Sequence, residues 1–132
     1  MLAVTIHDLH ERGFLAFDLI DILRLAESET RASIWECRGV ECVGKLADEL
    51  HSVPDAAGRI SGSELLRLAE GVHQVIDGTF KAYRGEEISE WLEIQAVDST
   101  MYVVVTGDNE LVGRIREWFR DVRESPGDDA RG

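Results

Sequence analysis

Residues 92–108, "LEIQAVDSTMYVVVTGD", hold two apolar runs separated by three short polar residues. Asp98 and Ser99 favour turns, because their side chains hydrogen-bond the neighbouring backbone. If these two residues form the turn, six apolar side chains share one face of a hairpin: Leu92, Ile94, Ala96, Met101, Val103 and Val105. A one-residue slip of either strand would break this face, so the stretch predicts a β-hairpin with a defined register.

The triplet Asp98-Ser99-Thr100 also offers a carboxylate beside two hydroxyl groups. An activated serine needs a base within hydrogen-bonding reach and a third group that orients the base. No histidine lies near the triplet in sequence. We therefore interpret the triplet as a turn and not as a catalytic group.

Two further segments carry hairpin signals. In residues 32–43, "ASIWECRGVECV", a two-residue turn fits Arg38-Gly39, and in residues 72–83, "VHQVIDGTFKAY", it fits Asp77-Gly78. Asp-Gly is favoured in type I′ turns because both residues tolerate a positive φ. Together with residues 92–108, these segments predict an antiparallel sheet of about four to six strands built from hairpins.

An N-terminal helix is predicted over residues 14–26, "FLAFDLIDILRLA". Polar residues recur at every third position, Asp18, Asp21 and Arg24, and apolar residues fill the remaining directions. Such a helix is largely covered by the sheet or by a second subunit. The simplest interpretation of the polar positions is an ion pair between the two carboxylates and Arg24.

A C-terminal amphipathic helix is predicted over residues 109–124, where Asp108 can cap the free amides at its start. Between the strands, a short helix is predicted over residues 45–51. Another begins after Ser61, which forms a capping-box pattern with Glu64.

The order of these elements predicts an α+β fold, in which the N-terminal and C-terminal helices pack on the antiparallel sheet. Residues 1–124 are predicted to form a single domain. Residues 125–132, "SPGDDARG", are predicted to be a disordered tail, because they are rich in proline, glycine and aspartate.

The chain has 26 acidic and 14 basic residues, which gives a formal net charge of -12. Binding to nucleic acid needs a concentrated basic surface, so no nucleic-acid partner is expected. An acidic surface is typical of a soluble protein, or of one that attracts a basic partner. Charged residues interrupt the first 25 positions, so we expect no membrane span or secretory segment and a cytoplasmic location.

The cysteines and histidines do not complete a catalytic or metal-binding motif. Cys37 and Cys42 are five residues apart, unlike a C-x-x-C pair, and are expected to be buried thiols. His7 and His10 have a spacing that suits a metal on a helix, but no third ligand is defined, and His73 is predicted on a half-buried strand face. We predict no catalytic residue, metal or cofactor, and a ligand role for these three histidines stays open.

Residues 84–95, "RGEEISEWLEIQ", place acidic residues around a tryptophan. In the predicted hairpin this tryptophan and Tyr102 lie opposite the apolar face. Tryptophan supplies contact area in protein interfaces, and carboxylates attract a basic partner. The pattern predicts a partner-binding site formed by Trp91, Glu86, Glu87, Glu90, Glu93 and Tyr102. The alternative is that the tryptophan packs at the sheet edge or under a loop.

Two functions of different classes follow. The first is a small acidic protein-binding module, of the inhibitor or immunity type, that occludes a more basic protein. The alternative is a small-ligand-binding or enzymatic domain, with a pocket between the N-terminal helix and the sheet that uses His73, Asp18, Asp21 or a cysteine. A homodimer is a third alternative, because the first helix is apolar on nearly all sides. Binding is favoured over catalysis.

Overall fold

The computed structural model describes residues 2–9, 15–56 and 58–125. Its strands are β1 (Leu2–Ile6), β2 (Ser33–Val43), β3 (Arg59–Ser61), β4 (Gln74–Arg84), β5 (Leu92–Val97), β6 (Met101–Thr106) and β7 (Val122–Ser125). They form one antiparallel sheet with the order β3-β2-β4-β5-β6-β1-β7. The predicted α+β class with an antiparallel sheet is confirmed. The seven strands exceed the predicted four to six.

β2 and β4 are long strands that pair with each other, so the hairpins predicted at Arg38-Gly39 and Asp77-Gly78 are wrong. Gly39 does have a positive φ of 58°, but it lies at a bulge that follows Arg38. A bulge uses such a residue to bend a strand without reversing it. Gly78 lies inside β4, where an added Cβ would come within 3.1 Å of the Phe80 ring. The absence of a side chain at Gly78 leaves room for the Phe80 ring and is not needed for a turn.

The hairpin of β5 and β6 is confirmed, but its register differs by one residue from the prediction. The turn contains Thr100 as a third residue, so Val97 pairs with Met101 and Ala96 with Tyr102. The side chains of β6 that share the face of Leu92, Ile94 and Ala96 are therefore Tyr102, Val104 and Thr106. Because the strand period is two, the extra residue reverses the predicted faces of β6.

The helices are α1 (Leu19–Arg24), α2 (Glu27–Ala32), α3 (Ala47–Ala56), α4 (Gly62–Glu70) and α5 (Asn109–Trp118). The predicted N-terminal helix begins later than expected, because Asp18 has an extended backbone (φ -124°, ψ 172°) and is its N-cap. Phe14 lies outside the described residues. Arg24 pairs with Glu70 at 2.9 Å, so the predicted ion pair between Arg24 and the two carboxylates of α1 is wrong.

The predicted starts of two helices are confirmed. Ser61 Oγ accepts the Glu64 backbone N–H at 3.2 Å at the start of α4. Asp108 Oδ1 accepts two backbone N–H groups at the start of α5, from Glu110 at 3.0 Å and from Leu111 at 3.1 Å. These acceptors satisfy amides that have no partner within the helix.

The end of the C-terminal helix was predicted wrongly, because α5 stops at Trp118 and residues 122–125 form β7. The carboxylate of Asp8 accepts the backbone N–H of Arg120 at 2.9 Å and that of Asp121 at 2.6 Å. These bonds tie the segment after α5 to the end of β1, beside which β7 then pairs. Ser125 thus belongs to β7 and not to the predicted tail, and residues 126–132 lie outside the described residues.

One face of the sheet carries the core. A row of directly paired side chains crosses five neighbouring strands, and every member is fully buried: Cys37, Phe80, Ile94, Val104 and Val4. Buried side chains of α1, α3, α4 and α5 join the same cluster. Leu19, Ile22 and Leu23 of α1 are buried in this way, so the apolar character of the first helix is accounted for within one chain. In the described part of the chain, no helix combines the length and apolar character needed to cross a membrane.

Candidate functional site

A cavity of about 440 Å³ lies between the segment that enters α1 and the sheet. Its lining comes from residues 15–18, the first turn of α1, the start of β4 and the turn between β5 and β6. The polar side chains of this lining are Asp18, Asp21, His73, Gln74, Ser99 and Tyr102. Because these residues are far apart in sequence, the cavity depends on the assembled fold.

Asp18 and Asp21 stand on the same turn at the start of α1. The Asp18 backbone N–H donates to Asp21 Oδ2 at 2.9 Å, which holds the second carboxylate close to the first. Burial, and after it the charge of Asp21, raises the pKa of Asp18 from 3.8 to about 6, while His73 opposes this shift. The surroundings therefore disfavour the negative charge of Asp18. A positive group placed beside it would offset that penalty.

His73 lies one residue before β4, and its backbone N–H donates to Val43 O at 2.8 Å. The sequence predicted it on a half-buried strand face, but its side chain is exposed while contributing to the cavity lining. The reason is that β4 begins at Gln74, so His73 precedes the strand itself. Its charge acts on Asp18 across the cavity and lowers the pKa of that carboxyl.

Tyr102 contributes a buried hydroxyl to the cavity. The side chain lies on β6, is 1% exposed, and its hydroxyl has no hydrogen-bond partner among the described residues. The Leu19 backbone approaches this oxygen closely enough to lower the pKa of Tyr102, but burial and the charge of Asp18 outweigh it and the pKa is raised. Since buried hydroxyls in proteins are nearly always paired, an unpaired one on a residue that lines a cavity indicates a place for a ligand atom.

The turn between β5 and β6 forms another wall and is strained. Asp98 and Ser99 both have a positive φ, of 50° and 59°. The turn is fastened to β4 by three bonds: the Asp98 N–H donates to Asp77 Oδ1 at 2.9 Å, the Ser99 N–H donates to Ile76 O at 3.0 Å, and Gln74 Nε2 donates to Ser99 Oγ at 3.0 Å. Left-handed backbone at residues other than glycine is uncommon and is concentrated at functional sites. The turn interpretation of the triplet is confirmed, and its serine also lines the cavity.

The predicted partner-binding residues are not brought together. Trp91 is 7% exposed, and its indole N–H donates to Ser33 Oγ at 2.8 Å, so its predicted exposure is wrong. The Arg84 guanidinium lies 4.4 Å from the centre of its ring. Tyr102 also points into the core and not outward, because of the register shift. The position of Trp91 is set by burial next to β4, which a short-range pattern of acids cannot indicate.

The acidic members of the predicted set lie on two different surfaces. Glu86 and Glu87 are exposed in the loop between β4 and β5, and Glu90 is partly exposed there. Glu93 instead lies in β5, directly opposite Lys81 on the outer face of the sheet. The sequence interpretation missed Ile88, which is 95% exposed within the same loop. The sequence did contain a signal for this exposed side chain, an isoleucine placed between acidic residues.

The two cysteines are free and buried, as predicted. Cys42 lies beside His51 of α3: its Sγ is 3.5 Å from Nε2, and its backbone N–H donates to the same nitrogen at 3.0 Å. Burial, and after it the charge of Asp48, raises the pKa of Cys42 to about 11. Since the thiolate is the nucleophilic form, this pair fastens β2 to α3 and does not form an activated thiol.

The remaining histidines give no metal site among the residues the structure describes. His7 Nε2 lies 2.8 Å from Thr5 Oγ1, and His10 lies outside the described ranges. Within those ranges, no three side chains of histidine, cysteine, aspartate or glutamate are grouped so that they could hold a metal ion.

No protein-family model, curated protein or solved structure matches the chain. Function is therefore inferred from the chemistry of the cavity. Three residues that the sequence named for a pocket next to the first helix, Asp18, Asp21 and His73, do line it. Ser99 and Tyr102 were missed as pocket residues, because their contribution depends on the length of one turn.

Proposed function

We propose that this protein binds a small molecule in the cavity between α1 and the sheet. Ligand sites are concave, of roughly 300–1,000 Å³, with mostly apolar walls and a few polar groups that fix orientation. The cavity of about 440 Å³ lies in this size range and combines apolar walls, among them Phe17 and Val75, with six polar side chains. The observation that carries the proposal is the unpaired Tyr102 hydroxyl, which is buried beside a carboxyl with a raised pKa.

The proposal is one of binding. Asp18 exchanges its proton near neutral pH, and such a carboxyl can act as a general acid or base when a substrate lies within reach. Catalysis would need a reacting group placed against it, and nothing in the cavity identifies that group. Binding requires only the groups already present.

A fragment screen by amide NMR tests the proposal. Small polar aromatic fragments at millimolar concentration are expected to shift the backbone amides of residues 16–21, 73–75 and 98–102 together. Gln74→Trp should abolish these shifts, because Gln74 is exposed, lines the cavity and can carry a ring into it. Thr79→Trp, on the outer face of the same strand, is the matched control and should bind normally. Fragments that leave the cavity amides unmoved, or that bind Gln74→Trp unchanged, would refute the pocket.

A second candidate function is binding of a basic protein by the acidic loop, residues 85–90. The specific observation is that Ile88 is 95% exposed between exposed carboxylates. An apolar side chain ringed by acids suits a partner that presents an apolar spot among basic residues. This is the part of the protein-binding hypothesis that the placement of the residues still supports.

Replacing Ile88 by Ser together with Glu86→Gln and Glu87→Gln tests the loop. Exposed substitutions of this kind change the unfolding free energy by less than about 0.5 kcal/mol, so the fold should survive. Proteins captured by the native chain should be lost by this variant. The control variant, Glu41→Gln with Glu117→Gln, removes two exposed acids elsewhere and should retain them. Equal capture by both variants would exclude the loop as the interface.

A further inference from the structure

The charge of the cavity selects the class of ligand. Two carboxylates and His73 line it, and no lysine or arginine does so among the described residues. Arg24, on the same helix, is engaged by Glu70 at 2.9 Å. The Asp18 N–H donates to Asp21 Oδ2. The other oxygen of that carboxylate, Oδ1, takes no part in this bond and can accept from a ligand. An anionic ligand would be repelled here, and a cationic one attracted.

Tyr102 supplies a second, independent observation. Its side chain is 1% exposed and belongs to the lining of the same cavity, and its buried hydroxyl has no hydrogen-bond partner among the described residues. A polar atom of a ligand at this position would satisfy the hydroxyl, which can donate or accept. The cavity thus offers negative charge at α1 and a neutral hydrogen-bonding group at β6.

The cavity also has apolar walls. The ring of Phe17 lies 5.3 Å from the Tyr102 ring and 4.6 Å from the Phe119 ring, centre to centre, so packing holds it in place. Val75, on the β4 side, is 2% exposed. A hydrated metal ion does not suit such walls, and the described residues provide no group of three metal ligands. An apolar organic body does suit them.

This inference rests on the proposed ligand pocket. We propose that the cavity binds a small organic ammonium ion. The nitrogen lies against the carboxylates of Asp18 and Asp21, the apolar body packs on Phe17, and a polar atom close to the nitrogen hydrogen-bonds the Tyr102 hydroxyl, which lies near the start of α1. The ammonium group has three donors, which suits two carboxylates on one turn of helix.

Four probes of similar shape test the class at about pH 7: phenethylamine, its neutral analogue phenylethanol, the anion 3-phenylpropionate, and 2-amino-1-phenylethanol, which adds a hydroxyl close to the ammonium group. Affinities are measured by titration of the amides of residues 73–75 and 98–102. A charge-assisted bond is worth enough to make phenethylamine bind about ten-fold more tightly than phenylethanol. The anion should not bind, and 2-amino-1-phenylethanol should bind more tightly than phenethylamine.

Variants assign these preferences to residues. Asp18→Asn and Asp21→Asn should each remove most of the preference for phenethylamine over phenylethanol, while the remote variant Glu41→Gln keeps it. Asparagine caps helices as well as aspartate does, so the fold of the Asp18 variant should be retained. Tyr102→Phe should abolish only the preference for 2-amino-1-phenylethanol over phenethylamine.

The outcomes separate this proposal from the pocket itself. If phenylethanol or 3-phenylpropionate shifts the same amides as strongly as phenethylamine, the ammonium proposal is overturned and the pocket stands. The same holds if none of the four probes binds while other fragments do. If no fragment of any charge moves these amides, the pocket and the ammonium proposal fail together.

Discussion

Asp21 Oδ2 accepts the backbone N–H of Asp18 at 2.9 Å, so two carboxyl groups are kept on one turn beside a cavity. Each group alone has a structural explanation, because carboxylates at the start of a helix stabilise it. Their combination is less favourable, since the charge of Asp21 adds to burial in raising the pKa of Asp18. A binding site that receives a cation would use this combination.

The first prediction concerns pH. The pKa of Asp18 is about 6 in the folded chain, against 3.8 for a free aspartate, so the folded state holds more protons between these values. The unfolding free energy therefore falls as the pH rises through this window, and the full penalty is present above about pH 6. Since Asp18 is only partly buried and solvent screens its charge, the penalty is discounted to about 1–2 kcal/mol.

Urea denaturation of the native chain and of Asp18→Asn measures this penalty. The variant should be the more stable protein at about pH 7, and the two should converge below about pH 4. Groups that do not interact with Asp18 cancel in the difference between the two proteins. As a control, Asp21→Asn should lower the pKa of Asp18, as followed by carboxyl NMR. A stability difference that does not change with pH would contradict the assignment.

The second prediction concerns the Tyr102 hydroxyl. A buried polar group without a partner costs about 1–3 kcal/mol, so Tyr102→Phe should leave the unfolding free energy unchanged or raise it by about 1 kcal/mol. Tyr102→Leu is the comparison, because it also removes part of the ring and should destabilise the core. Both are measured by urea denaturation without ligand. A clear loss of stability in Tyr102→Phe would mean that the hydroxyl has a partner within the protein.

The class of the fold was predictable from the sequence because alternation and capping are local signals. Asp108 and Ser61 begin helices as predicted, and Asp98-Ser99 turns a hairpin. The pairing of β2 with β4 was not predictable in this way, because a bulge at Gly39 and a turn at Gly39 have the same local composition. Only the long-range partner distinguishes them.

The site was predictable in part for the same reason. The spacing of Asp18 and Asp21 in the sequence predicted two neighbouring carboxylates. It could not predict that Arg24 pairs with Glu70 on another helix and not with them. Tyr102 was assigned to the wrong face because one additional residue in a turn reverses every later side chain of the strand. Because the predicted register was wrong by one residue, a tyrosine of the core was predicted to lie on the surface.

The third prediction concerns the strained turn. Ser99 has a φ of 59°, which costs a residue with a Cβ about 1 kcal/mol and costs glycine almost nothing. Ser99→Gly should therefore be more stable than Ser99→Ala by about 1 kcal/mol, as measured by urea denaturation. Both variants lose the bond from Gln74 Nε2, so the difference isolates the backbone. Equal stabilities would mean that the turn relaxes out of the left-handed region.

The last prediction concerns Trp91, whose indole N–H donates to Ser33 Oγ at 2.8 Å in a buried contact. Trp91→Ala should cost about 3–5 kcal/mol of unfolding free energy, because it empties a core position as well as breaking this bond. The matched control is Trp118→Ala, since Trp118 is 66% exposed and its loss should change stability by less than about 0.5 kcal/mol. A double-mutant cycle of Trp91→Phe with Ser33→Ala isolates the hydrogen bond, which should contribute about 1 kcal/mol. If the two alanine variants were equally stable, Trp91 would be a surface residue and the sequence-based interface around it would be restored.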